Sequence, residues 1–150
     1  NKTKIKMATT TATMSISSNI PSSPIAINNS MTMKKAGSCH GLDETLGLRT
    51  KKFNSTTTAE IVTLGDLTND GAHKLYIRNA GTNKEYFFYV AYHTSDAAAT
   101  TAGTIGKLYG GDWMLMPYNG STDINVTSST TEIQYLEYMV FADGIVEALG

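Results

Sequence analysis

The chain has few of the residues on which several common kinds of site depend. It contains a single cysteine, Cys39, so it can form neither an internal disulfide nor a zinc site built from several cysteines. Its 12 basic and 13 acidic side chains nearly balance, for a net charge of −1. Because no positive surplus attracts phosphate groups, we expect no nucleic acid as a partner and no binding to anionic membranes.

Long hydrophobic runs are also missing. No stretch approaches the ~20 apolar residues that a membrane-spanning helix needs, and the first residues lack the apolar segment of a secretory signal. We therefore expect no membrane partner and a chain that stays in solution until it assembles.

Threonine and serine are abundant instead. The sequence has 22 Thr and 12 Ser, while charged residues make up 17%, below the usual ~25%. A chain of 150 residues is long enough for one domain with its own core. The hydroxyl-rich, β-favouring composition points to an all-β fold.

Residues 59–150 alternate between short strand patterns and turn signals. "HKLYIRN" at 73–79 alternates along its length, "EYFFYVAYH" at 85–93 is apolar on both faces, and "AGTNK" between them predicts a hairpin loop. "INVTSS" and "EIQYLEYMVFA" predict further strands. Turn signals recur every ~8–15 residues without an amphipathic helix, which predicts an antiparallel β-sandwich or jelly roll as the body of the protein.

Residues 1–58 have a different texture. Short alternating pieces are separated by prolines and hydroxyl side chains, so they can add strands but cannot form a core alone. We predict an extended N-terminal arm with one or two strands and a loop, whose apolar residues find partners on the body or on a neighbouring chain. The predicted anchors of this arm are Met14, Ile16, Ile25 and Ile27.

The segment "YGGDWMLMPY" raises the question of what covers it. Gly110 and Gly111 before Asp112 predict a turn, and the uncharged run that follows predicts a strand covered on both faces. The domain's own core covers one face, and we expect neighbouring chains to cover the other. The predicted interface residues of this strand are Trp113, Met114, Met116 and Tyr118.

No pattern of residues indicates catalysis or metal binding. Cys39 and His40 are adjacent rather than spaced as zinc ligands, and His73 and His93 occur singly. No Gly-x-Ser-x-Gly nucleophile motif occurs. We therefore predict no catalytic residue, no metal, no cofactor and no enzymatic activity. A glycoside-cleaving site would use a pair of carboxylates, and the local sequence does not distinguish the candidates from ordinary surface charges. The candidates are Asp112, Glu132, Glu137 and Asp143.

The aromatic side chains leave two interpretations open. The tyrosines and the single tryptophan fall on or beside predicted strands. Tyrosine suits a face that is half dry and half wet, so such a face can pack against identical copies or stack on sugar rings. An oligomer and a carbohydrate-binding sheet would use the same residues.

Read in chain order, four segments resemble a pattern found in small virion proteins of tailed phages. They are "HKLYIRN", "EYFFYVAYH", "IGKLYGGDWMLMPYNGSTDINVTSS" and "EIQYLEYMVFADG", so the resemblance covers residues 73–144. In that pattern a strand ending in Asn is followed by a returning aromatic strand, an "IGxLxxGDWxxxPY"-like element and a closing "EYMVF"-like strand. The arm is also similar to those of phage structural chains, where arms hold neighbours together.

The resemblance implies a component of a bacteriophage virion. The implied function is that of a non-enzymatic capsid decoration, or cement, protein that assembles symmetrically and stabilises the particle. Its partners would be identical subunits, in a homo-oligomer such as a trimer, and the major capsid or other virion proteins. The alternative is a fibre or tail component that acts as a carbohydrate- or receptor-binding β-sandwich module.

Overall fold

A computed structural model describes residues 9–20, 25–93 and 103–146 of the chain. Within these ranges all regular structure is β-strand, and no helix long and apolar enough to cross a membrane is found there. Residues 1–8 and 21–24 of the predicted arm, and 94–102 and 147–150 of the predicted body, lie outside the described residues. In chain order the strands are β1 (Thr11–Ser18), β2 (Ile25–Thr32), β3 (Glu44–Thr45), β4 (Arg49–Phe53), β5 (Ala59–Val62), β6 (His73–Asn79), β7 (Phe87–His93), β8 (Thr104–Tyr109), β9 (Trp113–Tyr118), β10 (Asp123–Ser128) and β11 (Gln134–Ala142).

Strands β3 to β11 form two antiparallel sheets around one core, which confirms the predicted all-β sandwich. The four-stranded sheet has the order β5-β10-β7-β8. In the five-stranded sheet β9, β6 and β11 are neighbours, and β3 and β4 pair with successive parts of the other edge of β11. Strand β7 lies between β10 and β8, in the central position that its two apolar faces predict.

The strand pairing is nested. Strand β4 pairs with β11, β5 with β10, β6 with β9, and β7 with β8, all antiparallel. The ribbon then closes on itself where β6 meets β11 and β7 meets β10. This is the pairing of a jelly roll. The strand order therefore selects the jelly roll from the two predicted folds, a sandwich or a jelly roll.

The hairpin predicted at "AGTNK" is wrong. Strands β6 and β7 belong to different sheets, and the loop between them crosses from one layer of the sandwich to the other. Strand β6 pairs instead with β9 and β11, which come much later in the chain. Local alternation cannot distinguish these pairings, because each offers an apolar face to the core.

The body begins earlier than the predicted boundary at residue 59. Strand β4 pairs with five successive residues of β11, and Phe53 packs edge-on against Phe88 at 4.9 Å between ring centroids. Met33 and Leu42 are also buried, at 3% and 2% exposure. Among the described residues the arm is therefore the hairpin of β1 and β2, within residues 9–32, and the body starts near residue 33.

Candidate assembly surface

Strand β9 places alternate side chains on opposite faces of the five-stranded sheet. Tyr118 is buried in the core, and Met114 and Met116 pack against the core. Trp113, by contrast, is 57% exposed. Three of the four predicted interface residues on this strand thus contribute to the core of their own molecule, which narrows the interface prediction to Trp113.

A tight turn fixes Trp113 at the start of β9. Asp112 closes this turn, because its carboxylate accepts the amide N–H of Tyr109 at 2.9 Å and its own N–H bonds back to the Tyr109 carbonyl at 2.8 Å. Gly110 passes so close to Asn83 that a Cβ would lie 2.3 Å from the Asn83 carbonyl oxygen. Gly111 has a φ of +89°, which favours glycine. Gly110 therefore allows the close approach to Asn83, and Gly111 allows the left-handed backbone conformation of the turn.

The outward side of the five-stranded sheet carries large apolar side chains. Leu115 lies opposite Tyr76 on β6, and Tyr76 lies opposite Met139 on β11. The Tyr76 hydroxyl donates a 2.7 Å hydrogen bond to Glu137, so the phenol has a polar partner while its ring remains part of the surface. We call this surface the outer face. Its apolar members are Tyr76, Trp113, Leu115, Tyr135, Met139 and Phe141.

The sequence prediction omits Leu115, which is part of the outer face. The signal that identifies it is the period of two along a strand, since Leu115 lies two residues after Trp113 and must share its side. Met139 and Phe141 follow from the same period in β11, whose core-facing residues include Leu136 and Val140.

The hairpin of β1 and β2 has one apolar and one hydroxyl-rich side. Ile16 lies opposite Ile27, and Met14 and Ile25 project on the same side, as does Met31 opposite Ala12. These five Met and Ile side chains are between 37% and 46% exposed. The other side carries Thr and Ser, including a 3.1 Å hydrogen bond between Thr13 and Ser30. All four predicted arm anchors therefore share one side, which we call the apolar side of the hairpin.

The base of the hairpin is fastened to the body. The Met33 N–H donates to the Thr10 carbonyl at 2.8 Å, which closes the base of the hairpin, and the Met33 side chain is buried. The following segment is held at Ala36, whose N–H donates to the Asp143 carboxylate at 2.9 Å. That bond is the leading cause that lowers the pKa of Asp143, although burial opposes it.

A groove of about 260 Å³ separates the hairpin from β9. Met14 and Met31 from the apolar side of the hairpin line one wall, and Trp113 and Leu115 line the other. The structure thus brings Met14 and Trp113, both predicted, to one apolar groove. Ile16, Ile25 and Ile27 lie further along the hairpin, towards the end where Ser18 pairs with Ile25.

His73, one of the histidines considered in the sequence, has a structural role. His73 is fully buried, with Nδ1 accepting the Asp143 N–H at 2.8 Å and Nε2 2.7 Å from the Thr68 carbonyl. These two bonds fix the tautomer with the proton on Nε2. Among residues 9–20, 25–93 and 103–146, no group of three or more His, Cys, Asp or Glu side chains is arranged to hold a metal ion.

A second aromatic cluster lies on the four-stranded sheet. The Phe87 ring is 4.8 Å from Tyr89 and 4.9 Å from Tyr109, at interplanar angles of 81° and 46°. The Lys107 ammonium lies 4.7 Å from the Phe87 ring centroid. Because the rings are inclined to one another and a lysine lies over one of them, they form a packed cluster rather than a flat platform for sugars.

Comparison with known proteins adds no relative to this description. No family model, no curated protein and no solved structure matches the chain. The outer face and the hairpin are therefore the features that bear on function. Both offer apolar groups to a partner, and neither β1 nor β2 contains a charged residue.

Proposed function

We propose that this chain is a non-enzymatic structural protein of a bacteriophage virion, and more specifically a capsid decoration protein that assembles symmetrically with copies of itself. The observation that carries the proposal is the hairpin of β1 and β2. Within the described part of the chain its two strands pair only with each other, and its apolar side stays accessible to water. In the single chain the Met and Ile side chains on this side remain 37–46% exposed, so a partner could cover them further.

A lone two-stranded hairpin is marginally stable in water and needs a third layer or strand to become firm. Covering a few hundred Å² of apolar surface contributes several kcal/mol at about 25 cal/mol per Å², before the entropy of association is subtracted. The hairpin strands carry no charge, so an apolar protein surface suits them better than an anionic partner. Assembly supplies such a surface to every copy at once.

The fold and the sequence resemblance point in the same direction. Viral capsid domains commonly use the jelly roll, although lectins and other proteins use it too, so this support is an analogy of fold. The phage-like order of segments at residues 73–144 corresponds to strands β6 to β11. In this proposal the body docks on the shell, and the hairpin links neighbouring copies.

The first test is the mass of the purified full chain in solution. Light scattering or native mass spectrometry should find a homo-oligomer, such as a trimer, at micromolar concentration. The second test adds the protein to phage shells that lack it. It should bind at symmetric positions and raise the temperature at which the shells break. A stable monomer that neither binds shells nor protects them would overturn the proposal.

The alternative is a fibre or tail module that binds a carbohydrate or a receptor. The cluster of Phe87, Tyr89 and Tyr109 is the observation in its favour, although its inclined rings suit stacking on sugars poorly. A glycan array separates the two functions. A specific glycan hit that Tyr89→Ala abolishes, with Tyr135→Ala as the control on the opposite sheet, would favour the alternative.

A further inference from the structure

We infer that a pocket at one end of the sandwich binds a neutral sugar. The pocket has a volume of about 320 Å³ and lies between the loop that joins β6 to β7 and the loop that joins β10 to β11. We call it the loop pocket. Its lining residues include Asn79, Asn83, Tyr86, Glu132, Gln134 and Tyr135. The inference goes beyond the proposed function and does not depend on assembly, because the pocket lies within one chain.

The bottom of the loop pocket is a buried pair of amides. Asn79 is 1% exposed and Gln134 is 6% exposed. The Asn79 side-chain amide donates to the Leu108 carbonyl at 3.0 Å and to Oε1 of Gln134 at 3.3 Å. The Gln134 amide donates to Oγ of Ser128 at 2.8 Å and to the Phe87 carbonyl at 3.2 Å. Both NH₂ groups are thus fully used within the protein, and only the two amide oxygens can bond to a ligand.

The loop above this pair is held in place by the protein itself. The Gly81 N–H donates to Oδ1 of Asn79 at 3.0 Å, and the Glu85 N–H donates to Oδ1 of Asn83 at 2.7 Å. The Asn83 carbonyl accepts the Gly110 N–H at 3.0 Å, which ties the loop to the neighbouring turn. Because little of the chain has to be ordered on binding, a small ligand can bind here at a low entropic cost.

The loop pocket offers acceptors and a donor without positive charge. The acceptors are the remaining lone pairs of the two buried amide oxygens and the exposed carboxylate of Glu132. The donor is Nδ2 of Asn83, whose Oδ1 already accepts a backbone N–H. None of the described residues that line the pocket is Lys, Arg or His, and Lys52, opposite Tyr135 on β4, lines a separate pocket. An anionic ligand would therefore meet a carboxylate with no cation to balance it.

A hydroxyl group matches this mixture, because it both donates and accepts hydrogen bonds. A cation can only donate, so it would leave the Asn83 amide unmatched. Tyr86 and Tyr135 add aromatic rings, whose apolar faces can pack on the C–H groups of a sugar ring, and Tyr135 is 45% exposed. Ligand pockets have volumes of about 300–1,000 Å³, so a pocket at the lower end of this range suits a monosaccharide unit.

The test measures the binding of sugars to the full chain. Glucose, galactose, mannose and N-acetylglucosamine are titrated in turn and followed by saturation-transfer difference NMR, and an array of neutral glycans extends the panel. We expect a neutral sugar to bind at millimolar strength. Glu132→Gln should weaken this binding at least about fivefold, because a charged acceptor is lost. The matched control is Glu85→Gln, since Glu85 is also exposed but does not line the pocket, and it should leave the affinity unchanged.

A second pair of substitutions tests the aromatic wall. Tyr135→Ala should weaken binding at least about fivefold, because the ring that packs on the sugar is removed. Tyr89→Ala, in the aromatic cluster of the four-stranded sheet, should leave binding unchanged. This pattern is the reverse of the one expected if the sugar binds at that cluster. Circular dichroism checks that every variant folds.

The outcomes decide the inference without bearing on assembly. A neutral sugar whose binding falls with Glu132→Gln and Tyr135→Ala, but not with the two controls, would support it. The absence of binding to every neutral sugar would overturn it, and so would an equal loss in all four variants. Loss with Tyr89→Ala alone would overturn it and place the sugar at the aromatic cluster. Binding only to sialylated glycans, or only to tetramethylammonium, would overturn it because the ligand would then be an anion or a cation.

Discussion

The Asp143 carboxylate joins two segments that are far apart in the chain. Its Oδ2 atom accepts the Ala36 N–H at 2.9 Å and the Ala72 N–H at 3.0 Å. Ala36 follows the hairpin, whereas Ala72 directly precedes β6 in the body. One side chain near the end of the chain therefore fastens the base of the hairpin to the sandwich.

Replacing Asp143 with Ala should destabilise the protein by about 1–3 kcal/mol, because the exposed Ala36 amide and the partly buried Ala72 amide both lose an ionised acceptor. Urea unfolding measures this loss. Hydrogen exchange should also accelerate at Ala36 and Ala72. The control is Asp43→Ala, which removes only the exposed ion pair with Lys35 at 3.0 Å and should destabilise the protein much less, because water screens that pair. Equal effects of the two substitutions would contradict the role given to Asp143.

Stability should also depend on the ionisation of Asp143. The Ala36 N–H is the leading cause that lowers the pKa of Asp143 below its usual 3.8. Since the folded pKa lies below the unfolded one, the carboxylate stabilises the fold above about pH 4, and this stabilisation is lost as the pH falls through the folded pKa. The free energy of unfolding should therefore fall more steeply between about pH 5 and 2 in the wild type than in Asp143→Asn. Parallel curves for the two proteins would contradict this.

At the alkaline end, stability should depend on the ionisation of Tyr118. Burial is the main cause that raises the pKa of Tyr118 from 10.0 to about 12, and its hydroxyl donates a hydrogen bond to the Thr122 carbonyl. The unfolded chain ionises first, so the contribution of Tyr118 to stability is present below pH 10 and is lost as the pH rises towards about 12. Absorbance at the phenolate band should show Tyr118→Phe losing a late transition. The control Tyr135→Phe, at an exposed position, should leave that late transition in place.

The turn before Trp113 should tolerate no side chain at Gly110. An added Cβ would lie 2.3 Å from the Asn83 carbonyl oxygen, so Gly110→Ala should destabilise the fold by about 1–3 kcal/mol and shift the fluorescence of the single tryptophan. Gly106→Ala is the matched control, because a Cβ there meets nothing within 4 Å. Unfolding midpoints and emission spectra of both variants check this. A Gly110→Ala protein as stable as Gly106→Ala would contradict the steric argument.

Local patterns were sufficient to predict most strands of the body. "HKLYIRN" became β6, and "EIQYLEYMVFA" contains β11, because alternation with a period of two depends only on neighbouring residues. Strand β4 escaped prediction for the same reason. Four of its five residues are exposed and polar, and only Phe53 is buried, so it carries no alternating signal.

The candidate surface could be predicted only in part. The arm residues share one side of the hairpin because of how the two strands pair; they are Met14, Ile16, Ile25 and Ile27. Their spacing along each strand predicts a shared side within that strand, but only the pairing shows that both strands present it in the same direction. On β9 the sequence could not say which alternate set points inward. Trp113 and the methionines are both apolar, so either choice would satisfy the pattern.

By itself the amino-acid sequence determined that the protein is all-β and that its charge is nearly balanced. It also showed that "WMLMPY" has more apolar residues than one core-facing side of a strand requires, and that the arm carries apolar residues outside the body. Only the tertiary structure decided the nested jelly-roll pairing and the orientation of β9. The register of β9 against β6 places Met114 and Met116 opposite the buried Ile77 and Leu75, and this leaves Trp113 facing outward. The reason is physical: which residues are apolar is a local property, whereas which apolar side is covered depends on partners that are distant in the chain.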